Sequence, residues 1–242
     1  MSAIKIEKLT KRFKDTLAVD NLDLTVEEGE IFALLGVNGA GKTTTVKMLS
    51  CLIKPDGGNA FVCGYSILSD QEKVKDNIDV SMQETSIARN LTVKENLDFY
   101  SDLRGLTREN KRRVIENLYE VFGFKNVENK RAKTLSGGWQ RKLSIALALV
   151  SSPKVLFLDE PTLGLDVIAR RELWKTIESL RGKHTIVLTT HYMEEAEALS
   201  DRIGIMKDGK LIAVGTKEEL YKRASADNLE DAFIKIIEEG RA

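Results

Sequence analysis

Nine consecutive residues, Gly36-Val37-Asn38-Gly39-Ala40-Gly41-Lys42-Thr43-Thr44, hold the parts needed to grip a polyphosphate. The glycines permit backbone angles that a Cβ forbids, so successive N–H groups can curl into a nest around phosphate oxygens. Lys42 adds a point charge. A helix beginning about Lys42 would aim its unpaired N–H groups and positive dipole end at the same anion, and the Thr43 hydroxyl can ligate Mg²⁺. The spacing Gly36-x4-Gly41-Lys42-Thr43 follows the short apolar run Ile31 to Leu35, which suits a strand buried on both faces. Strand, loop and helix together imply nucleotide binding.

Other residues could complete such a site. Val155 to Leu158 reads as a second buried strand and ends in Asp159-Glu160-Pro161; two adjacent carboxylates at the C-terminal end of a strand are seldom merely structural. His191 follows the apolar run Thr185 to Thr190, which sets its imidazole at the same sheet edge, whereas His184 precedes that run and reads as a surface residue. Gln83 stands where a strand, Ile78 to Met82, gives way to helical patterning. Leu135-Ser136-Gly137-Gly138 opens a helix with exposed N–H groups. Phe13, among Lys11, Arg12, Lys14 and Asp15, admits two readings, a core side chain or an aromatic stacked on a base.

The elements that must position these residues follow from periodicity. Residues 4 to 9 and 22 to 26 alternate as strands around a basic turn containing Lys11 to Lys14, and Ala60 to Cys63 could return to that sheet. From Thr92, which forms a capping box with Glu95, the pattern becomes helical: through Tyr100, then Thr107 to Phe122 with Val114, Ile115, Leu118 and Val121 on one face, then about Gly138 to Val150. Beyond Asp159 the chain reads as helix 167–181, strand 185–190, helix 193–199, strand 202–206 and a hairpin at Asp208-Gly209. The tail from Asn228 sets Leu229, Phe233, Ile236 and Ile237 on one helical face, best suited to packing on the body.

Composition narrows the class. The 242 residues include 42% hydrophobic side chains, enough for a substantial core, and Lys plus Arg equals Asp plus Glu at 37 each, so no global field points to nucleic acid. Cys51 and Cys63 lack a metal-type spacing and read as reduced thiols. No apolar run approaches the roughly 18 to 20 residues that cross a bilayer, so a membrane role would require partner chains.

Phe13, the Gly36 to Thr44 loop, Gln83, Leu135-Ser136-Gly137-Gly138, the run into Asp159-Glu160, Leu163-Gly164-Leu165-Asp166 and His191 occur in an order that resembles the ATP-binding cassette (ABC) proteins over essentially the whole chain. The resemblance implies an α/β fold: a P-loop NTPase of ABC type with a mostly parallel core sheet, an N-terminal antiparallel β subdomain and an inserted helical subdomain. The expected segments are 1–84, 85–150, 151–226 and a C-terminal helix, 227–242. It implies ATP and Mg²⁺ as ligands, with Gly36, Asn38, Gly39, Ala40, Gly41, Lys42, Thr43 and Thr44 on the phosphates, and Thr43, Gln83 and Asp159 at the metal. Glu160 would polarise the attacking water, assisted by His191 and Gln83. Ser136, Gly137, Gly138 and Asp166 would complete the site of a second chain in a head-to-tail pair, a homodimer or a heterodimer. Trp139 departs from the family signature, which has glutamine there, and ordinary packing and a special contact both remain open.

Within the family the chain resembles ATPase subunits of the ABC-2 exporter group, which power efflux of drugs, polysaccharides or sodium through a separate membrane permease. That reading expects a cytoplasmic protein held peripherally at the membrane by the permease, with no nucleic-acid partner. The alternative is a soluble cassette ATPase acting as an assembly factor of the iron-sulfur type; a chromosome-type ATPase would need long heptad arrays, which are lacking here.

Overall fold

The computed structural model describes residues 1–239. Two sheets share the strands. The antiparallel sheet has the order β2-β1-β4-β5, with β1 Ser2–Phe13, β2 Thr16–Glu27, β4 Gly57–Val62 and β5 Tyr65–Ser66. The second sheet has the order β10-β9-β3-β8-β7-β6: β3 Ile31–Leu35, β6 Ile78–Ser81, β7 Val155–Asp159, β8 Thr185–Thr190, β9 Arg202–Lys207 and β10 Lys210–Gly215. Its pairings are parallel apart from β10 on β9.

All five residues of β3 are buried because the strand feeds two cores. Side chains alternate along a strand, so Ile31, Ala33 and Leu35 face one hydrophobic cluster and Phe32 and Leu34 the other. The second cluster lies toward the antiparallel sheet and α1 (Lys42–Leu49), with Val46 and Met48 among its members. The first runs without a break into the helices. Leu97 of α3 (Val93–Leu103), Leu118 of α4 (Arg108–Phe122) and Leu143 of α5 (Gly137–Leu149) join it, as do Leu173 of α6 (Val167–Glu178) and Ala196 of α7 (Met193–Leu199). The helical insertion therefore shares its apolar interior with the larger sheet.

Several boundaries move. Lys11, Arg12 and Phe13 are extended within β1, and the turn is confined to Lys14 and Asp15, with Lys14 at φ 49°. Register shifts at Ile6/Leu9 and Leu9/Lys11, with Lys8 at φ 49°, break the two-residue alternation, which is why the sequence pattern fades after residue 9. The helix expected over 167–181 ends at Glu178. His184 is not a free surface residue: it is half-buried, with Nδ1 2.6 Å from the Pro153 carbonyl oxygen. α2 (Gln71–Asn77) and α8 (Lys217–Ala224) are additional; Thr216 and Glu219 form a capping box for α8 that the sequence does display. The tail is α9 (Leu229–Glu239), with Leu229, Phe233 and Ile236 buried against the body. No helix of the described residues is long and apolar enough to cross a membrane.

Candidate functional site

The loop leaving β3 is shaped by backbone as much as by side chains. Gly39 and Gly41 adopt φ 84° and 102°, the left-handed region that a Cβ disfavours. Gly36 has ordinary angles, contrary to the expectation that its backbone needs glycine; it needs glycine because a Cβ would lie 2.5 Å from the Met206 carbonyl oxygen on β9. Gly41 caps α1 without a side-chain bond to the first turn, so helix N–H groups remain available to an anion.

A cavity of about 530 Å³ opens over this loop, lined by Asn38 to Thr44, by Thr16 to Ala18 of β2, and by Gln83, Glu160, Leu163, His191 and Asp208. Thus loop, Gln83, Glu160 and His191, separated by up to about 150 residues, meet at one place because β3, β8, β7 and β6 are successive parallel neighbours with their C-terminal ends on one edge.

Lys42 is buried and donates to the carbonyls of Gly36 at 2.7 Å and Val37 at 3.2 Å, with Nζ 3.4 Å from Glu160 Oε1. Glu160 Oε2 lies 2.7 Å from His191 Nδ1. Asp159 accepts the Thr43 hydroxyl at 2.9 Å and the Thr189 hydroxyl at 2.6 Å. These hard oxygens on adjoining elements suit Mg²⁺, which takes its other ligands from phosphate and water. Among the described residues no group of three or more His, Cys, Asp or Glu is placed to hold a metal ion.

Phe13 lies outside both hydrophobic clusters and is 47% exposed, which removes its core reading. It pairs across the hairpin with Thr16, which lines the cavity, and the Lys11 ammonium sits 5.4 Å from its ring centroid. Ser136, Gly137 and Gly138 begin α5 outside the cavity lining; Ser136 and Gly137 are exposed, and the Ser136 hydroxyl makes no cap bond. Asp166 also lies apart from the cavity and caps α6, accepting from the N–H groups of Ile168 and Ala169 at 2.9 Å each. Trp139 packs: it is half-buried, 6.2 Å from Phe124 between ring centroids, with Lys142 Nζ 4.8 Å from its ring. Sequence reasoning passed over Thr189, which bonds both Asp159 and the Glu160 N–H, and Arg141, a lone buried cation on α5.

The comparisons agree with this geometry. The family described as "ABC transporter" matches residues 19–163. The chain is 43% identical over 93% of its length to the phospholipid-transporting ATPase ABCA3 of Homo sapiens, spanning 14% of that protein. It is 40% identical over 98% of its length to the "Probable multidrug ABC transporter ATP-binding protein YbhF" of Escherichia coli (strain K12), spanning 42% of it. The chain thus covers less than half of either relative. The solved structure of cbiO1 from Clostridium perfringens, described as part of the ABC transporter complex cbiONQ, aligns with TM-score 0.84 and 27% identity over 91% of each chain. By fold, motif order and family match, this chain belongs to the ABC transporter family as an ATP-binding domain.

Proposed function

We propose that the chain binds and hydrolyses ATP to drive export through a membrane permease. The observation that carries this reading is the position of Glu160, whose carboxylate is bracketed by Lys42 and His191 over the phosphate-type loop. The triphosphate enters the cavity and the loop amides and Lys42 take its β and γ oxygens. Lys42 must then leave Glu160, which frees a buried carboxylate to accept a proton from the attacking water, while His191 orients it and contacts the γ-phosphate. Thr43 and Asp159 would hold Mg²⁺, which neutralises phosphate charge; Gln83 and Phe13 complete the reading as metal and water sensor and as adenine platform.

Ser136 and Gly137 are exposed, Gly138 is half-buried, and all three lie outside the cavity, which supports a head-to-tail pair in which each signature, with the Asp166 loop, closes the other chain's site. Export is favoured over the assembly-factor alternative by the multidrug relative. Localisation at the cytoplasmic face follows if the permease partner is engaged. The test is Mg²⁺-dependent phosphate release from ATP by the parent and by Glu160→Gln. The reading requires turnover in the parent and its loss, with nucleotide affinity kept, in the variant; parental turnover in Glu160→Gln would remove Glu160 from the base role.

A further inference from the structure

Arg141 is the fifth residue of α5, one turn inside the helix that opens at Gly137, and is only 4% exposed. A guanidinium taken out of water needs its donors satisfied, and here its four hydrogen bonds go to main-chain carbonyls. Nε donates to Pro161 at 2.8 Å, Nη2 to Asp159 at 2.7 Å, and Nη1 to Gln83 at 3.2 Å and to Met82. One rigid, planar group thus ties the signature helix to the end of β7 and to the segment after β6. Desolvation pushes the Arg141 pKa down to about 10, and the nearby carboxylates of Asp159, Glu195 and Glu160 oppose that fall.

The bonds fall on particular peptides. Glu160 adopts φ 47°, a left-handed conformation strained for a residue with a Cβ. Its N–H is held by the Thr189 carbonyl and hydroxyl, both at 3.1 Å, and the carbonyls on either side of it, Asp159 and Pro161, are the two that Arg141 holds from α5. The same guanidinium holds the Gln83 carbonyl, so the two groups expected at the attacking water share one anchor on the signature helix. A lysine ammonium has neither the width nor the donor number to reach all of these carbonyls.

We propose that Arg141 is a positioning residue for hydrolysis, fixing the Glu160 backbone and the Gln83 segment in register with the signature helix, so that movement of Ser136 to Gly138 is felt at the water-activating carboxylate. This rests on the reading of Glu160 as the residue that activates water. The test compares the parent chain with Arg141→Gln and Arg141→Lys by equilibrium binding of a fluorescent ATP analogue, phosphate release and amide hydrogen exchange. Arg141→Gln is expected to keep nucleotide Kd within about threefold while kcat falls roughly tenfold to a hundredfold. Exchange should quicken in residues 82–85 and 159–163 and not elsewhere, and Arg141→Lys should fall between. Should Arg141→Gln not fold, the same comparison on Arg141→Lys decides. Parental kcat in the folded variants, or a Kd that rises in step with the loss of kcat and exchange raised across the whole chain, overturns the positioning role alone. A parent that releases no phosphate overturns the ATPase reading beneath it.

Discussion

His191 Nδ1 and Glu160 Oε2 lie 2.7 Å apart, although one follows β8 and the other follows β7. The other oxygen of the same carboxylate lies 3.4 Å from Lys42 Nζ. The groups that would meet phosphate are thus paired with one another. On the proposed reading, an entering triphosphate would draw Lys42 away from Glu160 and leave that carboxylate free to act on the attacking water.

His191→Ala should therefore cost turnover more than binding. Loss of a positioned proton-transfer or orienting group lowers kcat by about a hundredfold or more, with nucleotide Kd changed only a few-fold. Phosphate-release kinetics beside equilibrium nucleotide binding separate the two. A variant with parental kcat would leave His191 as a structural partner of Glu160.

Phe13 stands half-exposed beside the mouth of the cavity. Base stacking contributes about 1 to 3 kcal/mol, so Phe13→Ala should weaken ATP binding roughly tenfold, and Phe13→Tyr should be nearly silent. Titration with ATP by calorimetry reads this directly; equal Kd for the alanine variant and the parent would show that the ring does not touch the base.

Gly138 tests packing between the signature helix and α6. A Cβ there would lie 2.9 Å from the Ala169 Cβ, closer than real Cβ contacts come. Gly138→Ala is expected to destabilise the chain by about 1 to 3 kcal/mol through overpacking, seen as a lower Tm. Adding Ala169→Gly should recover part of that loss, so the pair is non-additive. Strict additivity would place the cause elsewhere.

Much of the site was legible because its residues are fixed by local chemistry. The glycine spacing, Lys42, and the carboxylates at the end of Val155–Asp159 each advertise their role within a few residues, and the cavity gathers the loop with Gln83, Glu160 and His191. What stayed hidden depends on contacts distant in sequence. Gly36 is required by a carbonyl on β9, Thr189 by Asp159 at the end of β7 and the Glu160 N–H after it, and Arg141 by carbonyls 18 to 59 positions away. The first strands ran longer than their alternation because bulges at Lys8 and its neighbours shift the register without ending the pairing. His184 reads as exposed from its place ahead of the β8 strand, yet α4 and the end of α5 approach it and Pro153 accepts its bond.

The most direct test of the account as a whole is the mass of Glu160→Gln in solution by light scattering, with and without Mg²⁺ and ATP. Without nucleotide the chain should scatter as a species of 27.1 kDa. With saturating ATP the account predicts twice that mass, at a midpoint that moves with protein concentration because closure is linked to ATP binding. Ser136→Arg, which sets a bulky cation at the exposed signature, should abolish the shift while leaving ATP bound to the single chain. A Glu160→Gln chain that binds ATP yet keeps the single-chain mass at every concentration would contradict the composite site and, with it, the mechanism built on Glu160, Lys42 and the signature helix.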